Sequence, residues 1–155
     1  MKSIWTTLAT LGPVGYMRAP GTCASALTLI VVYVFNMLHI SSSVYAATLT
    51  LALIAGWLII TKALRHLKRS DDPKEIVFDE VLGCLLTFFA VPINWLTLLI
   101  GFVLFRFFDI AKPFGIRSLE KIKGAWGILL DDLAAALYSA FALRLLLYFF
   151  HDYIL

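Results

Sequence analysis

Residues 72–91 read DPKEIVFDEVLGCLLTFFAV, a charged opening followed by an apolar run, with Asp79 and Glu80 at the junction. The same pattern recurs along the chain. Four further apolar segments, Ala24 to Ile40, Val44 to Ile60, Ile93 to Phe108 and Leu133 to Phe150, join the run from Ile76 to Val91. Each is read as a helix, because backbone in lipid must satisfy its own hydrogen bonds and runs of this length suit helices better than barrel strands. All fall slightly short of the roughly 20 residues a full span needs, which draws the charges at their ends to the membrane boundary. With 61% apolar and 15% charged residues and a mean hydropathy of +0.90, the chain is too apolar for an ordinary soluble domain. The expected fold is an all-α polytopic membrane bundle of about five membrane-embedded helices, with its polar site at the cytoplasmic interface. One domain over residues 1–155 is expected, since no linker or long repeat divides the chain.

Topology follows from the basic residues. Lys62, Arg65, Lys68, Arg69 and Lys74 fill the connection between the second and third segments, and Arg106, Lys112, Arg117, Lys121 and Lys123 crowd the one between the fourth and fifth. Lys2 and Arg18 precede the first segment. The opposite connections, Ser41-Ser42-Ser43 and Pro92-Ile93-Asn94, carry no charge. The N-terminus and both basic loops are therefore expected inside and the C-terminus outside. Arg144 breaks the pattern and is expected to snorkel at the outer end of the last helix. Trp95 and Tyr153 are expected at the outer interface. Gly12 and Pro13 interrupt the first segment, so no cleavable secretion signal is read. Cys23 and Cys84 lack metal-site spacing and are read as small apolar fillers. His39, His66 and His151 stand alone, without ligand spacing. The third helix has a start signal, with Asp72 as N-cap, Pro73 at the first position and Glu75 completing a capping box. Gly83 then lies one turn beyond Asp79, leaving a notch above that carboxylate.

This topology gathers the acids. Asp79 and Glu80 open the third helix, Asp109 closes the fourth, and Asp131 and Asp132 open the fifth, so all meet at one depth. Carboxylates so placed repel unless cations such as Arg106 and Lys112, or a hard divalent ion, stand between them. Mg²⁺ suits the second remedy, because it works with few carboxylates plus water and phosphate oxygens. Arg106, Lys112 and Arg18 beside the acids suit a phosphate monoester. Gly21-Thr22-Cys23-Ala24-Ser25 precedes the first helix, where backbone N–H groups and the Thr22 hydroxyl could meet an anion. Plainer readings compete: paired acids at helix starts serve as caps, Arg106 with Asp109 is a helical ion pair, and the other basic residues set topology and meet headgroups.

Gly21-Thr22 with Ser25, Ile76-Val77-Phe78-Asp79-Glu80 with Gly83, Arg106-Phe107-Phe108-Asp109 with Lys112-Pro113, and Gly127-Ile128 with Asp131-Asp132 together resemble the phosphatidylglycerophosphatase A family. The resemblance covers most of the chain. It departs from the family pattern at Ala24, Gly115, Ala125 and Ala136, and leaves the acids and principal cations in place. It implies an all-helical, Mg²⁺-dependent phosphatase of the bacterial cytoplasmic membrane that removes the terminal phosphate of phosphatidylglycerophosphate to give phosphatidylglycerol. On that reading Asp79, Glu80, Asp131 and Asp132 are the metal ligands, one of them also serving as base for water. Asp109 is a further catalytic ligand or positions Arg106, and Arg106, Lys112, Arg18 and Thr22 bind phosphate. The partners implied are the phospholipid substrate and the membrane, with no nucleic acid. Two other classes stay open. A small ion or proton carrier predicts acids near the midplane, and a noncatalytic scaffold would use only the basic loops on anionic lipid.

Overall fold

The last helix organises the molecule. In the computed structural model, which describes residues 3–68, 73–150 and 154, every regular element is helical. A short N-terminal helix, α1 (Ile4–Ala9), and a 3₁₀ turn (Val14–Tyr16) lead into α2 (Pro20–Met37) and α3 (Ser42–Leu67). Then come α4 (Phe78–Thr87), α5 (Trp95–Ala111), the single turn α6 (Ile116–Leu119) and α7 (Ala125–Phe149). Helix α7 packs against α4, α5 and α3, while α2 and α3 flank α4 and α1 lies on α3. Its inner face is built from small residues, Ala135, Ala136, Ser139 and Ala140, all buried, so neighbouring backbones approach closely. Its bulky Trp126, Phe141 and Tyr148 point outward. Outer surface as apolar as the core is what a lipid environment permits.

Three helices, α2, α3 and α7, with 18, 26 and 25 residues, are long and apolar enough to cross a membrane. Three of the five expected segments thus lie in helices of spanning length, and the other two lie in shorter ones. Helix α4 has only 10 residues, about 15 Å, and α5 has 17. Two boundaries also move. Helix α3 runs on to Leu67 and carries Lys62 and Arg65 within it, and Lys62 Nζ lies 4.0 Å over the Trp5 ring, pinning α1. Helix α7 begins at Ala125, eight residues before the apolar run at Leu133, so Asp131 and Asp132 lie about two turns into it rather than at its start. Helix α4 starts at Phe78 after Val77, with no side-chain cap, and not at the expected Pro73. Asp72 lies outside the described residues, as do Tyr153 and His151. A turn intervenes, in which Ile76 N donates to Pro73 O, and Val77 N then donates to Ala9 O at 2.9 Å, tying the entry of α4 to α1. The notch at Gly83 is filled, because the Phe105 ring and the Asp132 carbonyl pack where its Cβ would be.

Past Thr87 the chain reaches Asn94 without regular structure, and this stretch needs partners if it lies in lipid. The Arg144 guanidinium donates to Phe89 O in this stretch and to Ala140 O of its own helix, and Tyr45 Oη donates to Leu85 O at 2.8 Å in the last turn of α4. Arg144 thus has partners inside the protein. Asn94 then starts α5 with a capping box with Thr97, and donates from Nδ2 to Ile154 O at 2.6 Å. Cys23 and Cys84 are both free thiols.

Candidate active site

Four helix ends and one turn converge on a cleft of about 400 Å³. The first turn of α2 supplies Pro20 and Gly21, the turn before α4 supplies Lys74 and Ile76, and the first turn of α4 supplies Asp79 and Glu80. From the far end of α5 come Arg106, Asp109 and Ile110, which share a helix face at i, i+3 and i+4 spacing. Lys112 closes α5 in the left-handed conformation (φ 44°), with Pro113 preventing continuation. Asp132 enters from α7.

Asp79, Glu80 and Asp132 each present a carboxylate oxygen within 4.8 Å of the other two. Asp79 and Asp132 are 5% and 3% exposed. Glu80 Oε2 and Asp132 Oδ2 are buried without a hydrogen-bond partner among the described residues. Three acids held this closely, away from water, repel unless a counter-charge is supplied. Oxygens this close would be drawn together by one hard divalent cation, which Asp79, Glu80 and Asp132 would hold. The residues fit a hard divalent cation on donor type, spacing and unsatisfied oxygens.

Arg106 and Lys112 deal with the remaining acids. Arg106 Nη1 donates to Asp109 Oδ2 at 2.5 Å, while Arg106 Nε is buried with no hydrogen-bond partner. Part of the guanidinium fork is thus anchored and part is available to the cleft. Lys112 Nζ bonds to Asp131 Oδ2 and, at 2.9 Å, to Glu120 Oε1. Burial of Lys112 opposes its charge, but the bonds to Asp131 and Glu120 outweigh it and raise its pKa above the ordinary lysine value. Asp131 Oδ1 also accepts from Asp132 N at 3.0 Å. Successive residues on a helix point about 100° apart, which sends Asp132 into the cleft and Asp131 to Lys112. Gly21 sets the wall opposite, since a Cβ there would lie 2.0 Å from Glu80 Oε1 and 3.1 Å from Arg106 Nη1.

The cleft therefore unites Asp79, Glu80, Asp109, Asp132, Arg106 and Lys112, drawn from segments distant in sequence. Asp131 is bound through Lys112 and lies off the three-carboxylate cluster. Thr22 stands on the other side of Arg106, lining an apolar groove, and Arg18 is exposed and does not line the cleft. Lys74, read from sequence as part of a topology-setting loop, does line it. No spacing rule marks Lys74, because a nonhelical turn brings it there.

The family model described as Phosphatidylglycerophosphatase A matches residues 7–147. Phosphatidylglycerophosphatase A of Haemophilus influenzae is 36% identical over 124 residues, covering 78% of this chain and 74% of the relative. The Escherichia coli protein of the same name is 30% identical over 147 residues, covering 90% and 81%. A Bacteroides thetaiotaomicron protein provisionally named a phosphatidylinositol-3-phosphatase is 36% identical over 130 residues, covering 78% and 79%. No solved structure matches. The match spans every element that builds the cleft, and the chain belongs to the phosphatidylglycerophosphatase A family of phosphatases.

Proposed function

We propose that the chain hydrolyses the terminal phosphate monoester of phosphatidylglycerophosphate, yielding phosphatidylglycerol and phosphate, in a Mg²⁺-dependent reaction at the inner face of a bacterial cytoplasmic membrane. The observation that carries this reading is the convergence of Asp79, Glu80 and Asp132 within 4.8 Å, with Arg106 in the same cleft. Asp79, Glu80 and Asp132 would hold the ion. Bound there, Mg²⁺ supplies neutralisation of phosphoryl charge and a more acidic bound water. Arg106 binds phosphate oxygens through the part of its guanidinium that Asp109 leaves open, and Asp109 keeps it oriented. Lys112, held by Asp131 and Glu120, adds positive charge at the cleft mouth for the equatorial oxygens. A carboxylate of the cluster accepts the proton of the attacking water. As the water oxygen bonds to phosphorus, the bond from phosphorus to the glycerol oxygen breaks, and that oxygen takes up a proton. Placing the basic connections inside puts the cleft on the cytoplasmic side.

The test is phosphate release by purified, reconstituted protein from phosphatidylglycerophosphate, with Mg²⁺ or EDTA. Release that needs Mg²⁺ and disappears in folded Asp79→Asn supports the reading; absence of release from folded parent protein removes it. The relative named for phosphatidylinositol 3-phosphate favours a second reading in which the headgroup differs while the chemistry is the same. Including phosphatidylinositol 3-phosphate in the panel decides between them by kcat/KM.

A further inference from the structure

On the side of Arg106 away from the acids, α2 and α5 leave an apolar groove of about 460 Å³. Thr22 stands at its head, and Phe102, Val103, Phe107 and Ala111 form its walls. Arg106 and Ile110 line both this groove and the polar cleft, so the two spaces adjoin. From Ile110 back to Phe102 the groove follows α5 for eight residues, about 12 Å, away from the end that carries the acids. Val103, Phe107 and Ile110 are 55%, 58% and 67% exposed, so it opens sideways to whatever surrounds the bundle. Another apolar groove, between α3 and α7 at Leu53, Trp57, Trp126 and Leu129, shares no residue with the cleft.

In phosphatidylglycerophosphate the terminal phosphate is joined to the chain-bearing glycerol through a second glycerol and a phosphodiester. If that phosphate occupies the cleft, the chains must find an apolar surface within the reach of this headgroup. The opening at Arg106 satisfies this: the guanidinium faces the phosphate while the methylene stem begins the apolar wall. We propose that the α2–α5 groove is the acyl-chain subsite for the lipid substrate and the lateral route by which the headgroup reaches the cleft. This rests on the reading of the cleft as a lipid phosphatase site.

Two measurements on the full chain in phosphatidylcholine vesicles test it. The first uses phosphatidylglycerophosphate with a photoactivatable diazirine in mid-chain, in EDTA, against the same label on phosphatidylcholine. The expected result is several-fold enrichment of phosphatidylglycerophosphate adducts on residues 102–111, abolished by Val103→Trp, which fills the groove. Adducts spread over all lipid-facing helices, as for phosphatidylcholine, overturn the subsite whether or not the protein is active. The second measures phosphate release. Val103→Trp is expected to raise KM about tenfold for a long-chain lipid phosphate, with little change for a dihexanoyl analogue or in Val103→Ala. Unchanged long-chain KM in Val103→Trp overturns the subsite and leaves the phosphatase reading standing. No release by the parent from any lipid phosphate overturns that reading instead.

Discussion

Asp132 is 3% exposed, shares its surroundings with Asp79 and Glu80, and has a buried oxygen without a hydrogen-bond partner. Asp132→Asn keeps its shape and removes one charge. Phosphate release is expected to fall roughly a thousandfold, about 4 kcal/mol in barrier, while the melting temperature in EDTA holds or rises as repulsion is relieved. A melting temperature that drops with activity intact would mark Asp132 as structural. Lys112 supports a different expectation. Its folded pKa lies above the ordinary value of about 10.4, so its stabilisation is fully present below that pH and is lost only as pH rises through the raised value. The melting-temperature difference between parent and Lys112→Ala is therefore expected to stay flat from neutrality to about pH 10 and to shrink above it. Shrinkage near neutrality would contradict the geometry at Asp131 and Glu120.

Among the elements, α4 is the one whose shortness matters most. Ten residues place Asp79 and Glu80 at one end, and the carbonyls at the other end are met by Tyr45 and Arg144 from flanking helices. Removing either partner strands a buried or lipid-facing carbonyl, worth about 1–3 kcal/mol. Tyr45→Phe and Arg144→Met are each expected to lower thermal stability by that amount, with activity per folded molecule nearly unchanged, because both contacts are remote from the cleft. Melting curves paired with active-site-normalised phosphate release check this. A variant that melts normally but loses activity would show instead that the far end of α4 positions its acids.

At the scale of the whole molecule, the cleft and the uncharged turn at Ser41–Ser43 lie at opposite ends of the bundle, since α2 runs from Pro20 in the cleft to Met37 beside that turn. The basic loop after α5 shares the end that holds the cleft. In oriented vesicles, an impermeant thiol reagent is expected to label Ser118→Cys only from the cytoplasmic side and Ser43→Cys only from the other. Labelling of both from one side would overturn the topology read from Lys and Arg counts.

Much of this was legible in the chain. Long apolar runs, with charges gathered mostly in alternate connections, point to an all-helical membrane protein with its acids at one end, because the cost of charge in lipid acts on each residue locally. Asp79, Glu80, Arg106 and Asp109 could be picked out for the same reason. Composition misled at the boundaries: Lys62 and Asp131 sit inside helices because backbone hydrogen bonding continues past the last apolar residue when a Trp5 ring or a Lys112 ammonium takes up the charge. Only tertiary packing divided Asp132 from Asp131, brought Lys74 to the cleft, withdrew Arg18 from it and set Thr22 on an apolar wall. Those outcomes depend on the rotation of α7 and α2 about their axes. A lipid-exposed surface as apolar as the interior leaves that rotation unmarked in the sequence, and close packing of small residues against α4 and α5 decides it.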